Sequence, residues 1–198
     1  MAAAHPSPSE ALWLACEQGD DAKARTLLAE ARKAGSADAL LLRRRHGLTL
    51  THLAAERGHF RVLTELLASG AAADVVTAAG VTPLHLAAAH GDGPLLALLL
   101  AKGADHSAVD GKKRTALHVA AEAGHDHVLR NLVRAGCLID AKDSDGLCTP
   151  LHLAARAGRA AAVRSLIRLV QEDTEVVGGV EPTGWLRVTP VQMAAESG

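Results

Sequence analysis

A ten-residue phrase recurs along this chain, and a repeat at nearly fixed period limits the fold more than any other feature of a sequence. Four copies are almost the same: Thr49-Leu-Thr-His-Leu-Ala-Ala-Glu-Arg-Gly58, Thr82-Pro-Leu-His-Leu-Ala-Ala-Ala-His-Gly91, Thr115-Ala-Leu-His-Val-Ala-Ala-Glu-Ala-Gly124 and Thr149-Pro-Leu-His-Leu-Ala-Ala-Arg-Ala-Gly158. Weaker copies flank them, from Glu10 to Gly19 and from Thr189 to Gly198. The closing glycines stand 39, 33, 33, 34 and 40 residues apart. Six units at that spacing form a stack of like elements.

Each phrase reads as a short helix. Thr82 is a good N-cap, and Pro83 sits at N1, where its missing N–H costs nothing. His85 falls at N3, placed to bond back to the Thr hydroxyl and backbone as the acid of a capping box does. Ala87 and Ala88 let a neighbouring helix approach closely, and Gly91 allows the left-handed turn into a second helix. That second helix carries an apolar stripe: Val62, Leu63, Leu66 and Leu67, then Leu95, Leu96, Leu99 and Leu100, then Val128, Leu129, Leu132 and Val133. Spacing of i, i+1, i+4, i+5 buries one helical face. Gly70, Gly103 and Gly136 stop it, and the turn-rich linker that follows projects as a hairpin finger.

The first and fifth units depart from the pattern together. Ala31 and Val170 replace the stopping glycine, which predicts longer second helices and then irregular loops at 35–47 and 178–188. Ser7-Pro8-Ser9-Glu10 reads as a capping box that starts the first helix. Trp13 replaces the signature His and polar Lys23 an apolar position, as suits a capping unit with one solvated side. The chain stops at Gly198, at the close of a first helix, which predicts a piece of a longer protein and self-association through an uncapped last unit.

Composition agrees with small helices packed closely. The 198 residues hold one Phe, two Trp and no Tyr, too few rings for a sandwich or barrel. Lys and Arg total 21 against 22 Asp and Glu, a net charge of -1. That excludes a strongly basic nucleic-acid binder and an acidic disordered tail. Three cysteines without a CxxC pair give no disulfide framework and fit a reducing compartment, the cytoplasm or the nucleus. The start lacks a basic and an apolar segment, so it is no signal peptide. The longest apolar run, from Pro94 to Ala101, is too short to cross a bilayer, and no membrane insertion is expected.

The Thr-Pro-Leu-His-Leu-Ala phrase and its interior period resemble the ankyrin repeat family over essentially the whole chain. The resemblance implies an all-α, ankyrin-type solenoid of helix-turn-helix repeats with projecting hairpin fingers. Residues 1–8 are then an N-terminal extension, and 9–198 a domain of about five full repeats plus the first helix of a sixth.

No residue constellation for catalysis appears. There is no G-x-S-x-G, no P-loop and no paired carboxylate, so neither an enzyme nor a cofactor is expected. The four signature histidines His52, His85, His118 and His152 stand one repeat apart, about 10 Å for helices side by side. That is too far to share a zinc ion, and they read as structural, as do His59 and His125. His125-Asp126-His127 is compact but lacks a third ligand at a known spacing, so no metal is expected. Cys16 and Cys137 read as inert core, whereas Cys148, beside Thr149 in a finger, is expected to be more exposed. Arg43-Arg44-Arg45 reads as the solvated end of a loop.

What remains is a binding surface. The resemblance implies that partners meet a concave groove built from finger tips and the ends of first helices. By position, the fingers contribute Arg45, His46 and Leu48; Ala78, Ala79 and Val81; Gly111, Lys112, Lys113 and Arg114; and Ser144, Asp145 and Leu147. The helix ends contribute Glu56 and Arg57, Ala89 and His90, Glu122 and Ala123, Arg156 and Ala157. Trp185, in the irregular last finger, is the fallback anchor. The reading is a non-catalytic protein–protein interaction module or scaffold; the alternative is the targeting or regulatory region of a longer enzyme or channel. The expected partner is an acidic or phosphorylated protein segment, not nucleic acid, steered by the cations of the Lys112–Arg114 finger towards an apolar middle.

Overall fold

The structure, a computed structural model, describes residues 7–145 and 147–176, with side chains as far as residue 171. The loop at 178–188 with Trp185, and the last copy of the phrase with its open end, lie outside the described residues. Within them the chain is all-α, and the one β-type pairing is an isolated bridge between Arg45 and Leu48.

Two layers of helices are stacked in register. The inner layer holds α1 (Pro8–Gln18), α4 (Leu50–Glu56), α6 (Pro83–His90), α8 (Ala116–Ala123) and α10 (Pro150–Arg156). The outer layer holds α2 (Asp21–Lys33), α5 (Phe60–Ala68), α7 (Gly93–Ala101), α9 (Asp126–Arg134) and α11 (Ala160–Val176). Each inner helix packs on the next inner helix and on its own outer partner. The alanine pairs of the phrase, Ala54 and Ala55, Ala87 and Ala88, Ala120 and Ala121, are buried between them. The outer stripe is buried at Val62, Leu63, Leu66 and Leu67, but Leu100 and Val133 end half-buried, at the rim of the core.

The longer helices appear where the stopping glycine is missing. α2 spans 13 residues and α11 spans 17, against 9 in α5, α7 and α9. The segment 35–47 is not wholly irregular as expected: it contains α3 (Ala37–Leu41). Ala37 and Leu41, one turn apart, are both buried, and that burial holds the turn. Ser7 and Glu10 form the expected reciprocal cap on α1, with Pro8 at its start. This puts Trp13 inside α1 and not at its third position, so its ring is buried by packing where the other units use a capping ring.

The signature histidines His52, His85 and His118 each join their unit to the next. In all four copies the Thr N–H donates to the ring Nδ1, at 3.4, 3.3, 3.2 and 3.3 Å. A backbone N–H only donates, so Nδ1 is the unprotonated nitrogen and Nε2 carries the hydrogen. In three copies Nε2 then donates to a carbonyl of the following finger: His52 to Val81 at 3.0 Å, His85 to Arg114 at 2.9 Å, His118 to Cys148 at 3.1 Å. One neutral ring thus starts its own helix and fixes the next finger.

A second ladder runs along the turns between the layers. His59 Nε2 reaches the carbonyl of Glu17 at 3.2 Å and His125 that of Ala89 at 3.0 Å, while Arg159 Nε donates to that of Glu122 at 3.1 Å. The two ladders stiffen the stack between units, which positions everything on its finger side.

Candidate functional site

The fingers form a continuous row. In the first, Arg45 and Leu48 exchange backbone hydrogen bonds of 2.9 and 3.1 Å around His46 and Gly47, whose φ angles are 53° and 80°. That is the two-residue hairpin loop whose twist suits paired strands. Arg44 Nη1 donates to the carbonyl of Val76 at 2.7 Å, tying the first finger to the second. Gly111 N–H donates to Ala79 at 2.7 Å and Ser144 N–H to Lys112 at 2.8 Å, tying second to third and third to fourth. The slot occupied by Gly47 and Gly80 is left-handed in all four described fingers, and Lys113 and Leu147 fill it at φ 57° and 58°. A side chain there is held at a cost of about 1 kcal/mol.

One residue shows that fingers and helix ends border the same surface. Arg114, on the returning arm of the third finger, places Nε and Nη2 at 2.9 and 2.8 Å from Asp110 Oδ2. Its Nη1 lies 3.1 Å from Glu122 Oε2, in the last turn of α8. Glu122 also lies 4.0 Å from Arg156 at the end of α10, and Arg57 at the end of α4 pairs at 3.5 Å with Glu17 at the end of α1. The variable helix-end positions therefore lie in one row, facing the finger tips across the ends of the inner helices.

Electrostatically the third finger differs from the expectation. Arg114 is not a free cation: it is half-buried, its carbonyl accepts from His85 and its guanidinium is held by Asp110 and Glu122. Partial burial raises the Asp110 carboxyl, but the N–H groups of Arg114 and Lys112 and the guanidinium outweigh it and hold it below the ordinary carboxylate range. Lys112 pairs at 2.9 Å with Asp145, whose carboxyl it lowers. Among the described residues Lys113 is the one cation of this finger without an ion pair, because Asp110 of the same finger, Glu122 of α8 and Asp145 of the next finger hold the other two.

The other expected residues divide by exposure. Arg45, His46, Ala78, Ala79, His90 and Arg156 are exposed, while Leu48 and Val81 are half-buried and brace the fingers. Trp185 lies outside the described residues. Cys148, expected to be exposed, is 5% exposed. Its N–H donates to Asp143 and its carbonyl accepts from His118, which draws that turn of the finger inward. Burial raises the thiol pKa of all three cysteines, to about 12 for Cys16 and Cys137.

Two residues on this surface escape the phrase-based reading. Val76 and Val109 are 48% and 47% exposed, each just before a residue that points into its own finger. Thr77 Oγ1 accepts the Val81 N–H, and Asp110 Oδ1 accepts those of Lys112 and Arg114. Neighbours in an extended segment point to opposite sides, so both valines face out. That alternation was the signal that could have found them.

His125 and His127, the compact pair, each commit Nε2 to a backbone carbonyl, Ala89 at 3.0 Å and Gly91 at 2.9 Å. Among the described residues no cluster of His, Cys, Asp or Glu is placed to hold a metal ion, and no helix is long and apolar enough to cross a membrane.

No curated protein matches the chain. The family model described as ankyrin repeats (3 copies) matches residues 12–110 and again 84–177. With the helical pairs, the finger row and the histidine ladder in register over that same stretch, the chain belongs to the ankyrin repeat family.

Proposed function

We propose that the chain is a non-catalytic scaffold that binds a partner protein across its finger tips and inner-helix ends. Ankyrin repeats are in general protein–protein interaction modules. The observation that supports this reading here is the division of labour on the finger side. Frame residues spend their polar atoms on the two ladders, while Arg45, His46, Ala78, Ala79, His90 and Lys113 are exposed and, among the described residues, bond to nothing in the frame with their side chains. A surface fixed in advance loses little conformational entropy on binding. The partner is an acidic or phosphorylated protein segment, met in the cytoplasm or nucleus.

The test is affinity capture from native lysate with three proteins. These are the wild type, a finger-side variant (Ala79→Glu with His90→Glu) and an outer-face variant (Arg61→Glu). A protein captured by the first and third but not by the second supports the reading. Equal capture by all three moves the binding face elsewhere.

A further inference from the structure

The ion pairs described above change where cations are available on the finger side, and they leave a pattern. Arg57, Lys112 and Arg114 are each answered by a carboxylate of the chain itself. Arg45 on the first finger and Lys113 on the third are exposed, and among the described residues neither forms an ion pair, although Glu10 feels the field of Arg45. Between them stands the second finger, whose tip is Ala78, Ala79 and Gly80 and carries no charge.

The uncharged interval is apolar and built closely. An ideal Cβ on Gly80 would lie 3.0 Å from the carbonyl oxygen of Val109 and 3.2 Å from the Asp110 backbone. The second finger therefore rests directly on the root of the third, and the exposed valine Val109 adjoins its tip. Val76 stands at the other root, where Arg44 binds its carbonyl. The result is an apolar saddle of Val76, Ala78, Ala79 and Val109 between the two cationic fingers. Lys113 marks the far side in a left-handed conformation that Gly80 takes without strain.

We infer that this saddle takes an extended peptide segment with one aliphatic side chain between two carboxylates, the aliphatic group on the second finger and the carboxylates at Arg45 and Lys113. The inference rests on the interaction reading above and names the partner's chemistry. Charge complementarity selects the flanks: a cationic side chain at either end would meet a like charge. Successive fingers stand about 10 Å apart, as packed helices do. The two cations are then about 20 Å apart, which an extended chain covers in about six residues. Side chains on one face of an extended chain recur at even spacing, so the motif is an acid, an aliphatic residue about two or four positions on, and a second acid about six positions beyond the first. An aliphatic group suits the saddle because its floor is methyl groups, with neither an aromatic ring nor a side-chain donor in it.

The probe is a phage-displayed library of random short peptides, selected on the intact chain at low salt. The selected peptides are then measured on Arg45→Glu/Lys113→Glu, on Val76→Asp and on the outer-face variant Arg61→Glu, each checked for an unchanged melt. Enrichment of the acid–aliphatic–acid pattern, with about tenfold or greater weakening on the first two variants but not on the third, supports the inference. Peptides without paired acids that still lose binding on Val76→Asp overturn it and leave the interaction reading standing. Peptides indifferent to both finger-side variants overturn both readings. No enrichment over an unrelated control protein overturns the inference alone, since a folded partner is still tested by capture.

Discussion

The Nε2 of His85 lies 2.9 Å from the carbonyl oxygen of Arg114, across 29 residues of chain and one repeat of the stack. The same ring takes the Thr82 N–H on Nδ1 at 3.3 Å. A side chain chosen to start one helix therefore also carries the next finger. Because that finger bears Arg114 and leads to Lys113 and Lys112, the ladder sets the height of the candidate binding surface.

Replacing His118 by Ala should destabilise the stack by about 1–3 kcal/mol, the cost of leaving buried polar partners unmatched. The Thr115 N–H loses its partner, and the Cys148 carbonyl keeps only the Asp143 N–H. Urea unfolding checks this, and an unchanged midpoint would show that neither bond matters to the fold.

Acid should loosen the ladder before it reaches the carboxylates. His52, His85 and His118 are held below the ordinary histidine value of 6.5, chiefly by burial, against the pull of the carbonyl each one faces. The unfolded chain binds protons that the folded rings refuse. Their contribution is complete above about pH 6.5 and is lost as pH falls below it, by up to about 1.4 kcal/mol per unit for each ring. Asp110 is held below its ordinary 3.8, so its own contribution is lost only in stronger acid. Urea midpoints should fall from about pH 7 to about pH 5, and His85→Gln should flatten that fall. A midpoint constant over the range contradicts the neutral-ring assignment.

Arg114 and Lys112 are adjacent cations with opposite expected roles. Reversing Lys112 to Glu removes an exposed pair with Asp145 and should change stability by no more than about 1 kcal/mol. Reversing Arg114 sets a carboxylate against Asp110 and Glu122, whose side chains are 6% and 42% exposed. Loss of about 1–3 kcal/mol is expected, reduced from the fully buried case because the guanidinium is partly in solvent. Thermal melts of the two single variants separate the roles, and equal melts would make Arg114 a surface charge after all.

The difference between those residues marks the limit of the sequence reading. The Thr82–His85 cap was legible because both partners lie within one helical turn, where spacing alone dictates contact. The same holds for the buried pairs Leu63 with Leu67 and Leu95 with Leu99. Arg114 was misread because its partners come from a turn and from the far end of α8, and no short-range pattern joins them. Cys148 was misread for a related reason: adjacency placed it in a finger, while bonds to Asp143 and His118 draw it into the frame. The exposed valines Val76 and Val109 carry no phrase of their own and became meaningful only once the inward Thr77 and Asp110 were seen.

Gly91 and Gly58 close equivalent helices at φ 73° and 70°, yet they should not tolerate alanine equally. Any Cβ in that conformation is strained, by about 1–2 kcal/mol. At Gly58 a Cβ would meet only Asp92 Oδ2 at an ordinary 3.7 Å. At Gly91 it would lie 2.6 Å from His125 Nδ1 and 2.7 Å from its Cγ, so the ring must move and give up its bond to the Ala89 carbonyl. Gly91→Ala should therefore cost about 0.5–1.5 kcal/mol more than Gly58→Ala. In a His125→Ala background that excess should vanish, because the clash and the bond are both already gone. Urea midpoints of the two single variants, the His125→Ala protein and the two doubles complete the comparison. If the excess survives without His125, the turn is strained for another reason, and the second ladder does not depend on the bare α-carbon of Gly91.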